Sequence, residues 1–309
     1  WVTYGLGSES RDLPAFVVMS DPLGRGLPKG YSLNWSAGFL PSVYQGTWFK
    51  PTGDPIDNLY RPKEMNNKQQ RRQLDLLKRL NQRHLEKSDA ELELTARIES
   101  FELAYRMQSA APDAINVDSE PEHIKKLYGL ENKKCTHFAR QCLTARRMVE
   151  RGVRFVQIYS GGMANQRSWD GHNDIHGNHS GFAAETDQPI AALLADLKQR
   201  GMLDKTLVVW GGEFGRLPVA QKGKKPGRDH NPHAFTYWLA GGGAKGGVSY
   251  GETDEIGHKA AIDRVHVNDL HATILHLLGM NHEKLTYKYN GRDFRLTDVG
   301  GEVIRKIIA

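Results

Sequence analysis

No stretch of the 309 residues stays apolar over the roughly 18–20 positions a membrane-crossing helix requires. The longest purely apolar pieces are short runs such as Leu207-Val208-Val209-Trp210. A transmembrane helix is therefore excluded. Cysteine is nearly absent as well. Cys135 and Cys142 are the only two, seven positions apart in a segment that reads as helix. At about 1.5 Å of rise per residue their α-carbons lie roughly 10 Å apart, too far for a bridge. They read as buried apolar side chains and carry no information on redox compartment. A strong excess of one charge is missing too. Forty-two basic residues against 36 acidic leave +6, spread over mixed-sign segments, which disfavours a dedicated nucleic-acid binder. The chain opens at Trp1 without Met and without a signal-peptide pattern, so a processed form or a fragment is expected.

What is present belongs to a globular chain. Hydrophobic residues make up 39% and charged residues 25%, which excludes global disorder. The length allows one large domain or a pair. Residues 1–60 are rich in Gly and Pro around one strand, 15–19. Residues 63–110 then shift to Lys, Arg, Glu, Gln and Leu. Leu74, Leu77, Leu80 and Leu85 form one helical stripe. Ser88 with Glu91 reads as a capping box opening a second helix, with Leu94, Ile98, Phe101 and Tyr105 inward. The expectation is an inserted antiparallel helical hairpin closed by Pro112. Its charged face is solvated, with polyanion binding at Arg71-Arg72 as the alternative.

From there the pattern alternates. A helix over 133–150 ends at Gly152 and leads into a strand over 153–159. A helix carrying Ile190, Leu193, Leu194 and Leu197 ends at Gly201 and leads into a buried strand over 206–210. A third strand covers 235–240, a helix 268–278 stops at Gly279, and a short helix ends the chain. Apolar strands alternating with helices predict an α/β fold, a largely parallel sheet sandwiched by helices.

Ligands of such sheets bind in loops at the carboxyl ends of strands. Three segments there carry chemistry. The run 169–179 holds Asp170, His172, Asp174, His176 and His179 among small residues, a density of oxygen and imidazole donors that suits a divalent metal. The run 211–216 offers a carboxylate at Glu213 and a bidentate anion clamp at Arg216. A structural salt bridge is the bland alternative there. The run 227–233 repeats the combination with Arg228, Asp229 and His230, after a basic, Gly-rich loop at 222–225. His266, His271 and His276, in or beside the 268–278 helix, read as structural histidines, and Asp293 as a turn anchor.

The motifs WDGH, TLVVWGGEFGR, GRDHNP, HVNDLHATILHLLG and NGRDFRLTDV together resemble the domain-of-unknown-function 1501 family of exported bacterial proteins. The resemblance covers essentially the whole chain. It implies a relation to the alkaline phosphatase and sulfatase superfamily, whose members hydrolyse or transfer phosphate and sulfate esters with divalent metals. It also implies an extracytoplasmic, periplasmic address. On that resemblance Asp170, His172 and His230 would belong to a first metal site, with Asp229 contributing. Glu213 and Phe214 stand where the superfamily has Asp-His, so a second site would lack a nitrogen ligand. The superfamily's first strand and its nucleophile would lie upstream of Trp1.

The expected function is thus a metal-dependent hydrolase of phosphate or sulfate esters. Asp170, His172, Glu213, Asp229 and His230 would hold the metal, and Arg216 and Arg228 the anionic group. Zinc is the expected ion, with manganese, iron, calcium or magnesium compatible. The alternative is a non-catalytic metal- or polyanion-binding protein of the cell envelope with the same fold.

Overall fold

The computed structural model describes residues 1–50, 54–86, 91–163 and 166–309, and for 91–97 the backbone alone. The chain divides into two compact units, Trp1–Gly162 and Met163–Ala309. The fold is mixed α/β.

The first unit runs α1 (Val2–Leu6), β1 (Phe16–Met19), β2 (Thr47–Phe49), α2 (Asn67–Leu85), α3 (Glu91–Ile115), α4 (Glu122–Tyr128), α5 (Thr136–Glu150) and β3 (Phe155–Ile158). Its sheet has three parallel strands in the order β2-β1-β3, with Val17 opposite both Thr47 and Val156. Val17 and Val18 point to opposite faces and both are fully buried, as a parallel strand covered on two sides requires. Gly46 leads into β2 because a Cβ there would meet Val18 Cγ2 at 2.6 Å. The core against this sheet comes from α3 (Met107, Ala111, Ala114) and α5 (Ala145, Met148), closed by Phe49, Leu13 and Val153. Cys135 and Cys142 are both buried and free. Burial pushes the thiols of both upwards, so neither is poised as a thiolate.

A buried charge cluster locks α5 to the segment after α3. Glu120 forms an ion pair with Arg146 Nη2 at 2.7 Å and accepts from Arg147 Nη1. Arg147 also donates to the carbonyls of Ala114 at 2.9 Å and Asp113 at 2.8 Å. Those carbonyls belong to the last turn of α3, where Asp113 O also accepts from Asn116 N at 3.2 Å. Burial raises the pKa of Glu120, but the hydrogen bonds from Arg146 and Arg147 outweigh it and hold the carboxyl below its usual range.

Helices α2 and α3 depart from expectation in packing. Arg71 bridges them to Glu102 at 2.6 Å and lies over the Tyr105 ring, so its charge is engaged within the chain. Leu77 and Leu80 are exposed, and so is Phe101; the expected apolar stripe is not buried. The α2 cap is Asn66 with Gln69, a reciprocal pair. The Ser88 cap lies outside the described residues, as does the Leu94 side chain. Pro112 does not close α3, which runs on to Ile115. The buried Ala111 and Ala114 flank it, and their packing offsets the hydrogen bond the proline removes.

The second unit runs α6 (Ile175–Gln199), β4 (Val208–Gly211), β5 (Gly215–Arg216), β6 (His230–Asn231), β7 (Tyr237–Ala240), β8 (Glu252–Thr253), β9 (Ala260–Ile262), α7 (Val267–Leu277), β10 (Tyr287–Tyr289) and β11 (Arg292–Phe294). Its strands form antiparallel pairs: β4-β7, β5-β6, β8-β9 and β10-β11. The expected parallel arrangement of the 206–210 and 235–240 strands is therefore corrected. A parallel return needs a crossover, usually a helix. The chain between β4 and β7 contains none and folds back as the short β5-β6 ladder. Among the described residues β4 pairs with β7 alone; it is not the buried strand expected, and Val209 and Trp210 remain exposed.

Helix α6 starts earlier than its apolar stripe suggests. Asp174, in the left-handed region at φ 47°, caps it by accepting from Gly177 N at 3.1 Å. Burial along its face centres on Leu197 and Ala192, while Leu194 is half-buried. His266 caps α7 by accepting from Asn268 N, and the 305–307 end is a single 3-10 turn. No helix among the described residues is long and apolar enough to cross a membrane.

The Glu120 cluster generates the first prediction. Glu120→Ala leaves two buried guanidinium groups without their carboxylate and should destabilise the protein by about 3–5 kcal/mol in urea unfolding at neutral pH. Because the native pKa is depressed, this contribution is present above the unfolded-state pKa and lost as pH falls through the native one. The gap between wild type and variant should narrow on acidification.

Candidate metal centre

Two loops of the second unit are brought together by backbone pairing. In the β5-β6 ladder Arg216 stands opposite His230, and Leu217 N donates to Asp229 O at 2.9 Å. The other side of the 226–228 segment pairs with the 171–175 segment. Asn173 bridges Pro226, and Arg228 N donates to Gly171 O at 3.0 Å. Gly227 is required at this crossing, since a Cβ there would lie 2.0 Å from the carbonyl carbon of His172. Lys225 closes the contact with an ion pair to Asp174 at 2.8 Å, which holds the Asp174 carboxyl below its usual range.

Three donor atoms converge where these segments meet. Asp170 Oδ1 lies 2.9 Å from His230 Nε2 and 3.0 Å from His172 Nε2. The two Nε2 atoms are themselves 3.0 Å apart. Asp170, His172 and His230 are the one group of three such residues among those described whose ligand atoms could hold a single ion. Tetrahedral zinc with bonds of about 2.0–2.1 Å separates its ligand atoms by about 3.3 Å. The triangle therefore fits such an ion after expanding by a few tenths of an ångström.

The tautomer of His172 fits too. Its Nδ1 faces Gln221 Oε1 at 3.3 Å. An amide oxygen only accepts, so Nδ1 carries the hydrogen and Nε2 turns a lone pair to the centre. His230 Nε2 then faces two acceptors, a carboxylate oxygen and an imidazole nitrogen. One cation among the three satisfies all of them. Phe214 packs on the His230 ring with centroids 4.1 Å apart at 30°, fixing its plane.

Arg216, expected to clamp an anion, is turned onto the protein instead. Its Nη2 donates to Asp170 Oδ1 at 2.9 Å and to Trp169 O at 2.9 Å, and its Nη1 to Arg228 O at 3.2 Å. Both side chains of the pair are largely buried, at 15% and 13% exposure. The guanidinium thus orients a ligand carboxylate. Arg228 is exposed, and its side chain makes no hydrogen bond or ion pair among the described residues.

Of the five expected metal ligands, Asp170, His172 and His230 come together. Asp229 stands beside them. Its Oδ1 accepts from His230 N at 2.8 Å and lies 3.8 Å from His172 Nδ1, outside the triangle of donor atoms. Glu213 is exposed beyond the end of β4 and is not in the cluster. It lies near Tyr237, whose phenol is raised by burial and then by the Glu213 charge. His176 and His179 sit in the first turns of α6, and His179 Nε2 contacts Trp169 O at 3.1 Å. Sequence reasoning missed Gln221 and the stacking role of Phe214. Neither residue type signals metal chemistry, and both reach the centre only through the β5-β6 ladder.

The chain belongs to the DUF1501 family, described as proteins of unknown function, whose model matches residues 1–308. No curated protein and no solved structure matches it.

Gln221 is open to direct test. Gln221→Leu keeps the side-chain volume but removes the acceptor that sets the His172 tautomer. Loss of such an outer hydrogen bond typically weakens metal binding 10–100-fold. That loss should appear as a weaker zinc affinity in competition with a chromophoric chelator, with an unchanged circular dichroism spectrum.

Proposed function

We propose that this protein is a metal-dependent hydrolase of phosphate or sulfate esters, built on an alkaline phosphatase-like fold and working outside the cytoplasm. The observation that carries the reading is the meeting of Asp170 Oδ1, His172 Nε2 and His230 Nε2 within 3.0 Å of one another. Two imidazoles and one carboxylate form the kind of three-ligand set that leaves a coordination position for water or substrate. A zinc ion held there supplies Lewis-acid polarisation of an ester oxygen.

The protein's own groups have separate tasks. Asp170 contributes negative charge, and Arg216 holds it in place and offsets part of that charge. Gln221 holds the proton on His172 Nδ1, and Phe214 restricts the His230 ring. Arg228, exposed and unpaired among the described residues, supplies positive charge to a sulfate or phosphate oxygen. The superfamily fold and the extracytoplasmic address are supported by the combined motifs from WDGH to NGRDFRLTDV.

A second reading is a non-catalytic metal- or polyanion-binding protein of the cell envelope. Phe214 favours it, because an aromatic ring stands where the superfamily keeps a nitrogen ligand. Exposed Lys222, Lys224 and Arg228 add a basic rim.

Elemental analysis of the purified protein beside its His172→Ala variant tests the common part. Near-stoichiometric metal in the wild type should disappear in the variant with the fold intact. Metal in neither, after reconstitution with zinc, would overturn both metal-based readings. Turnover of p-nitrophenyl phosphate or sulfate by the full gene product, abolished by chelation, separates the enzyme from the binder. Arg228→Ala should then raise KM for the anionic ester without changing metal content.

A further inference from the structure

A cavity of the Met163–Ala309 unit, lined by none of the three triad residues, has a different chemistry. It measures about 590 Å³ and is bounded by Trp169, Trp210 and Trp238 from the loop and strands, with Ile190, Leu194 and Asp187 from α6. Half of the protein's six tryptophans line this one space. Their arrangement is specific. Trp210 and Trp238 are directly paired across β4 and β7, which puts both indoles on one face of the ladder. Their rings are nearly parallel, 13° apart, with centroids 6.4 Å from each other. Trp169 stands almost perpendicular to Trp210, at 82° and 6.0 Å. Two aromatic walls therefore meet at a right angle.

The walls are held in place before any ligand arrives. The Trp169 carbonyl accepts from Arg216 Nη2 at 2.9 Å and faces His179 Nε2 at 3.1 Å, and its ring packs on Phe182. Among the described residues no lysine, arginine or histidine lines the cavity, and its charged residue is a carboxylate, Asp187. Asp187 is exposed and makes no hydrogen bond or ion pair among the described residues. An anion would meet indole faces, which are electron-rich, and a carboxylate. A sugar would find few polar partners, since Thr186 and Asp187 are the polar members of the lining apart from the indole N–H groups. A cation with an apolar skin satisfies every feature at once. Quaternary and alkylated ammonium groups are bound in this way, over perpendicular aromatic faces with a nearby negative charge.

We infer that the Trp169–Trp210–Trp238 corner is a binding site for a quaternary or alkylated ammonium group, with Asp187 as its counter-charge. This site does not depend on the metal-hydrolase reading.

The test is calorimetric titration of the intact chain, in chelator, with choline and with 3,3-dimethylbutan-1-ol, its neutral isostere. Choline should bind saturably, and the alcohol about fivefold weaker, which corresponds to a cation–π contribution of about 1 kcal/mol. Asp187→Asn and Trp210→Ala should each weaken choline binding several-fold with an unchanged circular dichroism spectrum. If Trp210→Ala fails to fold, the exposed Asp187→Asn variant decides alone. Equal affinity for choline and the alcohol would overturn the inference in favour of a purely apolar pocket. Absence of choline binding at tens of millimolar would overturn it outright.

Discussion

The ion pair between Arg216 and Asp170 is the constraint on which the candidate centre depends. Asp170 is largely withdrawn from water and faces two imidazoles, so its charge needs a fixed partner. Arg216 provides it and, with the same guanidinium, ties down the carbonyls of Trp169 and Arg228. Three segments distant in sequence are thereby held to one planar group. Without it the carboxylate could turn to solvent, and the two Nε2 atoms would face each other with one hydrogen at most between them. With it, the donor atoms stand in place and an ion need only close the triangle. A preset geometry of this kind lowers the reorganisation cost of binding.

The two units stabilise charge in contrasting ways. In the first, Glu120 is sealed with the buried Arg146 and Arg147 of α5. That cluster joins helices and offers nothing to a ligand. In the second, a comparably buried carboxylate faces His172 and His230, whose rings are partly open to solvent. Burial therefore separates a structural ion cluster from a candidate centre made of similar residue types. The second unit also places Trp210 and Trp238 on one face of the β4-β7 ladder, where Trp210 stays exposed.

Much of the fold was legible in local patterns. The apolar run at 16–19, the α5 stripe stopped at Gly152, and α7 stopped at Gly279 follow from periodicity and helix-end residues. The errors share a cause. Pro112 reads as a stop, yet α3 continues because Ala111 and Ala114 are buried against the sheet. Leu77, Leu80 and Phe101 read as an inward stripe, yet all three stay exposed among the described residues. The 206–210 strand reads as central and parallel, yet its pairing with β7 depends on how the residues between them fold back. Each outcome is set by neighbours remote in sequence.

The same division runs through the candidate centre. Local sequence is enough for the supply of ligands: Asp170 and His172 beside a flexible glycine, Asp229 and His230 with His233 three positions further on, and Glu213 after a strand. Spacing and residue chemistry are enough for that, because donor atoms are a property of side chains. Which donors meet is set by contacts between distant segments. His230 is 60 residues from Asp170 and 58 from His172. Their convergence requires the antiparallel register that sets Arg216 against His230, and the close approach that Gly227 permits at His172. Asp229 points beside the triangle and Glu213 away from it for the same reason. A side chain's direction is fixed by its backbone's pairing partner, which no local pattern records.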